Sequence, residues 1–132
     1  MLMAGIKILL DTNIISSLMA SDAALVAKID AVNEVYLSVI SLGELYFGAF
    51  NSSKVEQYLS AIGTVARFYP SINADEETGK IYGRLKAELK KRGRPLPEND
   101  IWIASIAIQH KCMLISRDQH FAEIGELTWE IW

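Results

Sequence analysis

Cysteine is nearly absent from this chain of 132 residues, which contains only Cys112. A single cysteine excludes an internal disulfide and is typical of a protein in a reducing cytoplasm. Long apolar runs are also missing, because the uncharged stretches 35–43 and 101–109 are far shorter than the roughly 18 residues of a membrane-spanning helix. The first residues lack the charged region and cleavage site of a signal peptide. We therefore expect a cytoplasmic protein without a membrane segment.

The composition and the order of apolar segments predict one α/β domain over residues 1–132. Hydrophobic residues make up 51% of the chain, which is enough for a full core at this length. Short apolar runs typical of buried strands alternate with segments of helical pattern, which favours a central parallel sheet of about five strands with helices on both faces. The predicted strands are 6–10, 35–40, 68–72, 113–116 and 128–131, and the predicted helices are 13–19, 23–32, 41–50, 54–66, 75–92, 97–110 and 119–124.

Two aspartates follow predicted strands. Asp11 comes directly after the first strand, with Asn13 as the expected N-cap of the next helix, and Asp118 lies two residues past the strand at 113–116. These two strands are expected to be neighbours in the sheet, which would bring Asp118 close to Asp11. Open α/β sheets bind ligands at the carboxyl ends of their strands, although each aspartate can also simply cap a turn or helix.

Two further acids lie at predicted helix starts. Glu44 follows the second strand, in a pattern from Ser41 to Glu44 that is typical of a capping box, so its carboxylate can face the sheet edge or only return a hydrogen bond. Asp100 lies in the first turn of a helix that is apolar on all sides and must therefore be buried. An acid at the mouth of a buried helix is a stronger candidate for function than a surface acid.

The proximity of four carboxylates predicts a metal site. Two carboxylates about 5 Å apart repel by roughly 3 kcal/mol at an effective dielectric constant of about 20, so four of them would destabilise a small domain or become partly protonated. A hard divalent cation, Mg²⁺ or Mn²⁺, relieves this repulsion and can activate water for phosphoryl chemistry. The chain has no glycine-rich phosphate-binding loop, which argues against a nucleotide triphosphatase.

Four motifs together resemble those of the PIN-domain ribonucleases, specifically the VapC-like or FitB-like toxins of bacterial type II toxin–antitoxin pairs. The motifs are 9–13, 38–45, 99–104 and 114–121, and their order and spacing agree with the family over essentially the whole chain. The resemblance implies a homodimeric, Mg²⁺-dependent endoribonuclease that cleaves single-stranded or loop RNA and is neutralised by a cognate antitoxin. It also implies that Asp11, Glu44, Asp100 and Asp118 are the catalytic, metal-binding residues.

Other polar residues are assigned around this quartet. Asn13 and Ser116 are predicted to orient the carboxylates or a metal-bound water, with helix capping as the alternative for Asn13. Ser116 stands where the family more often has threonine, which keeps the hydroxyl. The spacing of His110, Cys112 and His120 fits no standard zinc site.

Two surfaces are predicted to bind partners. The net charge is −3, yet seven of the 13 lysines and arginines fall within residues 80–94. We expect RNA phosphate contacts from this segment at Lys86, Lys90, Arg92 and Arg94, with a solvated helix face as the alternative. The resemblance also implies a groove for an antitoxin helix at Leu45, Tyr46, Phe47 and Phe50, for which core packing is the alternative.

Two rival functions stay open. One is a different metal-dependent phosphoryl-transfer hydrolase, such as a phosphatase of the haloacid-dehalogenase type. That family has a second aspartate two residues after the first, and Asn13 at this position argues against it. The other rival is a non-catalytic binding module on the same fold, in which the acids only cap helices. The presence of all four acids argues against this module, and activity decides the question.

Overall fold

The sheet is parallel throughout, and its strands lie in the order Ser71–Ile72 (β3), Glu34–Ser38 (β2), Lys7–Leu10 (β1), Met113–Ile115 (β4) and Trp129–Glu130 (β5). The computed structural model describes residues 5–132, so the chain start, on which the signal-peptide expectation rests, lies outside the described range. The predicted α/β fold is confirmed. Within the described range the elements are β1 (Lys7–Leu10), α1 (Thr12–Met19), α2 (Ala23–Asp30), β2 (Glu34–Ser38), α3 (Val39–Phe50), α4 (Val55–Phe68), β3 (Ser71–Ile72), α5 (Glu76–Lys91), α6 (Glu98–His110), β4 (Met113–Ile115), a 3₁₀ helix (Gln119–Glu123) and β5 (Trp129–Glu130).

Helices cover both faces of the sheet, and the central strand β1 shows how. Ile8 and Leu10 point into a core that includes residues of α1, α2, α3 and α4. Leu9 points the opposite way, into a second core built with α5, α6 and the 3₁₀ helix. This alternation follows from the two-residue period of a strand, and all three side chains are fully buried. Both faces of β1 therefore fix the position of its carboxyl end.

The boundary between β2 and α3 differs from the prediction. The strand ends at Ser38 and the helix begins at Val39, because the Ser38 Oγ accepts a hydrogen bond from the Ser41 N–H at 3.0 Å and caps the helix. The predicted strand to residue 40 and the predicted capping box from Ser41 to Glu44 are therefore wrong. Glu44 lies in the second turn of α3, and its carboxylate does not cap that helix. Phe68 likewise ends α4, where a strand was predicted.

Helices α5 and α6 form an antiparallel hairpin that defines the far side of the site. A capping box at Asp75 and Thr78 starts α5, and Gly93, with φ of +66°, follows its end. The chain then reverses, so the basic carboxyl end of α5 lies beside the amino end of α6, which carries Asp100.

Within residues 5–132, no helix is long and apolar enough to cross a bilayer.

Candidate active site

Asp11 extends from the carboxyl end of β1. Its backbone N–H donates to the Ile115 carbonyl of β4 at 2.9 Å, which fixes the residue at the edge where both strands end. Asp11 is the N-cap residue of α1, yet its side chain makes no capping bond. Instead, its Oδ2 accepts a hydrogen bond from the Ser116 Oγ at 2.7 Å. Asp11 is 5% exposed, and its carboxylate is held towards the sheet edge.

Ser116 and Asn13 join the loop after β4 to the start of α1. The fully buried Ser116 Oγ donates to Asp11 and accepts from the Asp118 N–H at 3.0 Å. The Asn13 Oδ1 accepts from the Arg117 N–H at 3.3 Å. The prediction that Asn13 caps α1 is wrong, because Asp11 occupies that position. Both side chains hold the loop that carries Asp118 against the end of β1.

Glu44 and Asp100 approach the same edge from helices on opposite faces of the sheet. Glu44 Oε1 accepts a hydrogen bond from the Thr12 Oγ1 at 2.7 Å, which ties α3 to the start of α1. Asp100 is in the first turn of α6, and its side chain is 15% exposed. The N-terminal end of a helix favours a carboxylate through the helix dipole. Four different elements thus deliver the four predicted acids to one end of the sheet.

The pKa values show how strongly these acids interact. The pKa of Asp100 is raised to about 6, first by burial and then by the charges of Asp11, Asp118 and Glu44. Burial also raises the pKa of Asp11, against the lowering effect of the Ser116 hydrogen bond. A dense group of carboxylates that resists full ionisation is an electrostatic reason to bind a cation.

Asp118 and His120 complete the donor set. The Asp118 Oδ1 accepts from the His120 N–H at 2.9 Å and lies 3.0 Å from the His120 Nδ1, which is also 3.8 Å from the Asp100 Oδ2. Ligand atoms of Asp100, Asp118 and His120 all lie within 4.8 Å of one another, so these residues could hold a metal ion. Sequence reasoning left His120 out of the site. Its one signal was the position two residues after Asp118, at a helix start.

The predicted RNA-contacting residues lie at the same end of the hairpin as Asp100, and three of the four are paired with acids. Lys86 forms an ion pair with Glu98, two residues before Asp100. Arg92 and Arg94 lie 3.7 and 3.8 Å from the Glu123 carboxylate. Lys90 is exposed and makes no ion pair within residues 5–132. Exposed ion pairs of this kind are weak, so phosphate groups can exchange for the acids.

The four residues of the predicted antitoxin groove do not share one surface. Leu45 is buried, whereas Tyr46, Phe47 and Phe50 are 37%, 70% and 65% exposed. A cleft of about 400 Å³ lies instead between α1, α3 and α4, with Leu45 in its wall, and it was missed by sequence reasoning because its residues are far apart in the chain. Its lining residues are Thr12, Ser16, Met19, Glu44, Leu45, Gly48, Ala49, Ser52, Tyr58 and Ile62.

Comparisons with known proteins match the chain in sequence and in fold. Residues 8–127 match the family model described as PIN domain. The chain is 33% identical over 129 residues to Ribonuclease VapC1 of Haemophilus influenzae strain R2866, with 94% of this chain and 96% of that protein covered. Among solved structures, VapBC2 from Rickettsia felis bound to a promoter DNA fragment aligns with a TM-score of 0.91 at 26% identity, covering 96% of this chain and 99% of the matched chain. VapBC-1 from nontypeable Haemophilus influenzae aligns with a TM-score of 0.87 at 32% identity, covering 96% and 98%.

Proposed function

The chain belongs to the PIN domain family, and we propose that it is a metal-dependent endoribonuclease that acts as the toxin of a toxin–antitoxin pair in the bacterial cytoplasm. The observation that carries the proposal is the convergence of four acids from separate elements, with the pKa of Asp100 raised to about 6 by burial and by the other three charges. The relative Ribonuclease VapC1 aligns over almost the whole chain, and its name supports ribonuclease activity for this chain.

Asp11, Glu44, Asp100 and Asp118 would hold Mg²⁺, with Mn²⁺ as an alternative. Such an ion supplies charge compensation and activated water at a phosphodiester. The rest of the chemistry lies in how the chain positions these carboxylates. Ser116 holds one oxygen of Asp11 and the backbone of Asp118, and Thr12 holds one oxygen of Glu44, so each acid keeps another oxygen for an ion.

RNA is the proposed substrate, in single-stranded or loop form. The acidic site repels the polyanionic RNA, so substrate binding needs positively charged side chains at the border of the site. The basic end of α5 supplies them at the amino end of α6, with Lys86, Lys90, Arg92 and Arg94 as the proposed phosphate contacts. Lys86 of α5 pairs with Glu98, which lies two residues before Asp100 in α6. A phosphate group that replaces Glu98 as the partner of Lys86 would therefore bring RNA to the edge of the site.

Removal of divalent ions is expected to abolish RNA cleavage by the purified chain. The four carboxylates repel one another without a cation, and water at that edge then lacks its activating ion. The measurement is cleavage of a labelled RNA in excess EDTA, followed by restoration with Mg²⁺ or Mn²⁺. The refilled sample should regain activity, which shows that the chelator did not unfold the protein. Full activity in excess chelator would refute the metal-dependent mechanism.

A protein antitoxin is the proposed partner, and its segment would bind in the cleft between α1, α3 and α4. Glu44 lines that cleft and also belongs to the acidic site, while Leu45, Ala49 and Ile62 provide apolar lining. An amphipathic helix in an apolar groove is a common mode of recognition. A basic side chain of the helix could then reach Glu44. The VapBC structures that align with this chain support a partner of this kind.

The isolated chain is proposed to be a homodimer that uses apolar side chains of α3, with apolar residues of 54–66 contributing. Phe47 and Phe50 lie three residues apart on one helix face and are 70% and 65% exposed, which is costly for a monomer. Light scattering should show a dimer at micromolar concentration. Phe47→Glu should shift the chain towards monomer, whereas Phe68→Glu, at a 75% exposed phenylalanine that ends α4 beyond residues 54–66, should not. A monomeric wild type would contradict the proposal.

A further inference from the structure

His120 is the residue of the site that the four-acid description leaves unexplained. Its imidazole is 60% exposed, while the side chains of Asp100 and Asp118 are 15% and 32% exposed. The ring therefore lies on the solvent side of the two carboxylates. The backbone N–H of His120 donates to the Asp118 Oδ1 at 2.9 Å, so the start of the 3₁₀ helix fixes where this side chain emerges.

The distances around the His120 Nδ1 lie within the range found between ligands of one metal ion. In an octahedral site with bonds of about 2.1 Å, adjacent ligand atoms lie about 3 Å apart and opposite ones about 4.2 Å apart. The His120 Nδ1 lies 3.0 Å from the Asp118 Oδ1 and 3.8 Å from the Asp100 Oδ2. Ligand atoms of all three residues lie within 4.8 Å of one another, so one ion could bind them after side-chain rotations, and the imidazole is exposed enough to rotate.

We propose that His120 is a metal ligand, and that its nitrogen makes the site favour first-row transition ions over Mg²⁺. This inference rests on the metal site of the proposed function. Mg²⁺ prefers oxygen ligands and retains its waters, whereas imidazole nitrogen suits transition ions. A site of carboxylates alone would serve Mg²⁺ well. The added nitrogen strengthens binding of an ion such as Mn²⁺ more than binding of Mg²⁺.

Binding of Mn²⁺ to the full-length chain tests the proposal without any measurement of activity. Electron paramagnetic resonance reports the free ion and hence the affinity, and spin-echo modulation from ¹⁴N reports a directly bound imidazole. The variants are His120→Gln and the control His110→Gln. The chain has only these two histidines, and His110 lies about 15 Å along α6 from Asp100.

Wild type and His110→Gln should both show the ¹⁴N modulation, and His120→Gln should lose it. The affinity of His120→Gln for Mn²⁺ should fall at least about tenfold, the loss that even an outer partner of a metal site causes. Its affinity for Mg²⁺, measured by competition, should fall less. Persistent ¹⁴N modulation in His120→Gln would overturn the proposal. Tighter Mn²⁺ binding by this variant would also overturn it, since His120 would then compete with the ion. Failure of wild type to bind Mn²⁺ would instead refute the proposed metal site itself.

Discussion

Asp11→Asn and Asp100→Asn are each expected to lose nearly all RNA cleavage while the protein stays folded. The amide keeps the size of the carboxylate and removes one charged ligand from the proposed site. The rate should fall on the order of 100-fold or more, as when one preorganised electrostatic group is removed from an active site. The measurement is the cleavage rate of a labelled RNA at saturating Mg²⁺, with circular dichroism to verify the fold.

A matched control separates this effect from a change in net charge. Asp30→Asn makes the same substitution at an exposed aspartate at the carboxyl end of α2, which precedes β2 and so lies at the opposite edge of the sheet. That variant should cleave RNA at the wild-type rate. Wild-type cleavage by Asp11→Asn or Asp100→Asn would remove that residue from the site.

The thermal stability of Asp100→Asn tests whether Asp100 is destabilising when it is charged in the metal-free site. The pKa of Asp100 in the folded chain, about 6, is above its ordinary value of 3.8, mainly through burial. The folded state therefore holds this proton more tightly, and wild-type stability decreases as the pH rises between about 4 and 6. Without metal, Asp100→Asn should melt at a higher temperature than wild type at pH 7.5, and the difference should shrink at pH 4. An equal difference at both pH values would contradict the raised pKa of Asp100 in the folded chain.

Expression of this chain alone is expected to arrest bacterial growth, and a small co-encoded antitoxin should relieve the arrest. Cleavage of cellular RNA supplies the damage. A basic side chain of the antitoxin, reaching Glu44 from the cleft, would make a charge-assisted contact worth about 2 kcal/mol and would exclude the ion or the substrate. The measurement is growth after induction of wild type, with and without co-expression of the proposed antitoxin.

Asp11→Asn is the control for this growth experiment, because it keeps the fold and removes the proposed chemistry. Cells that express this variant should grow normally, and the variant should still bind the antitoxin through the cleft. If wild type and Asp11→Asn are equally harmless without an antitoxin, the toxin assignment fails. The alternative of a non-catalytic binding module then takes its place.

The sequence predicts the position of the site better than its internal contacts. Asp11 and Asp118 follow strands of a parallel sheet, so the fold class alone places them at one edge. Glu44 reaches the same edge although its predicted capping role is wrong, since the helix starts at Val39 and not after Ser41. A shift of three residues in the N-cap, from Ser41 to Ser38, changes which side chain caps the helix and leaves the helix at the same edge.

Contacts between distant residues explain what the sequence does not predict. The acids that pair with Lys86 and Arg92 are Glu98 and Glu123, 12 and 31 residues away along the chain. No local sequence pattern predicts such pairs, so the sequence alone suggests that the basic side chains of residues 80–94 are unpaired. The sequence predicts no metal-binding role for His120, because the spacing of its histidines and cysteine fits no zinc site. The proximity of His120 to Asp100 depends on how the 3₁₀ helix packs against α6.

Metal binding and RNA cleavage measured on the same samples across a Mg²⁺ titration test the central claim most directly. Wild type and Asp11→Asn are purified in parallel, with binding followed by calorimetry and cleavage by the loss of a labelled RNA. The site described here predicts that wild-type cleavage and binding rise together with the same midpoint, and that Asp11→Asn loses both. Cleavage by wild type at Mg²⁺ concentrations far below the binding midpoint, or equal cleavage by both proteins, would contradict it.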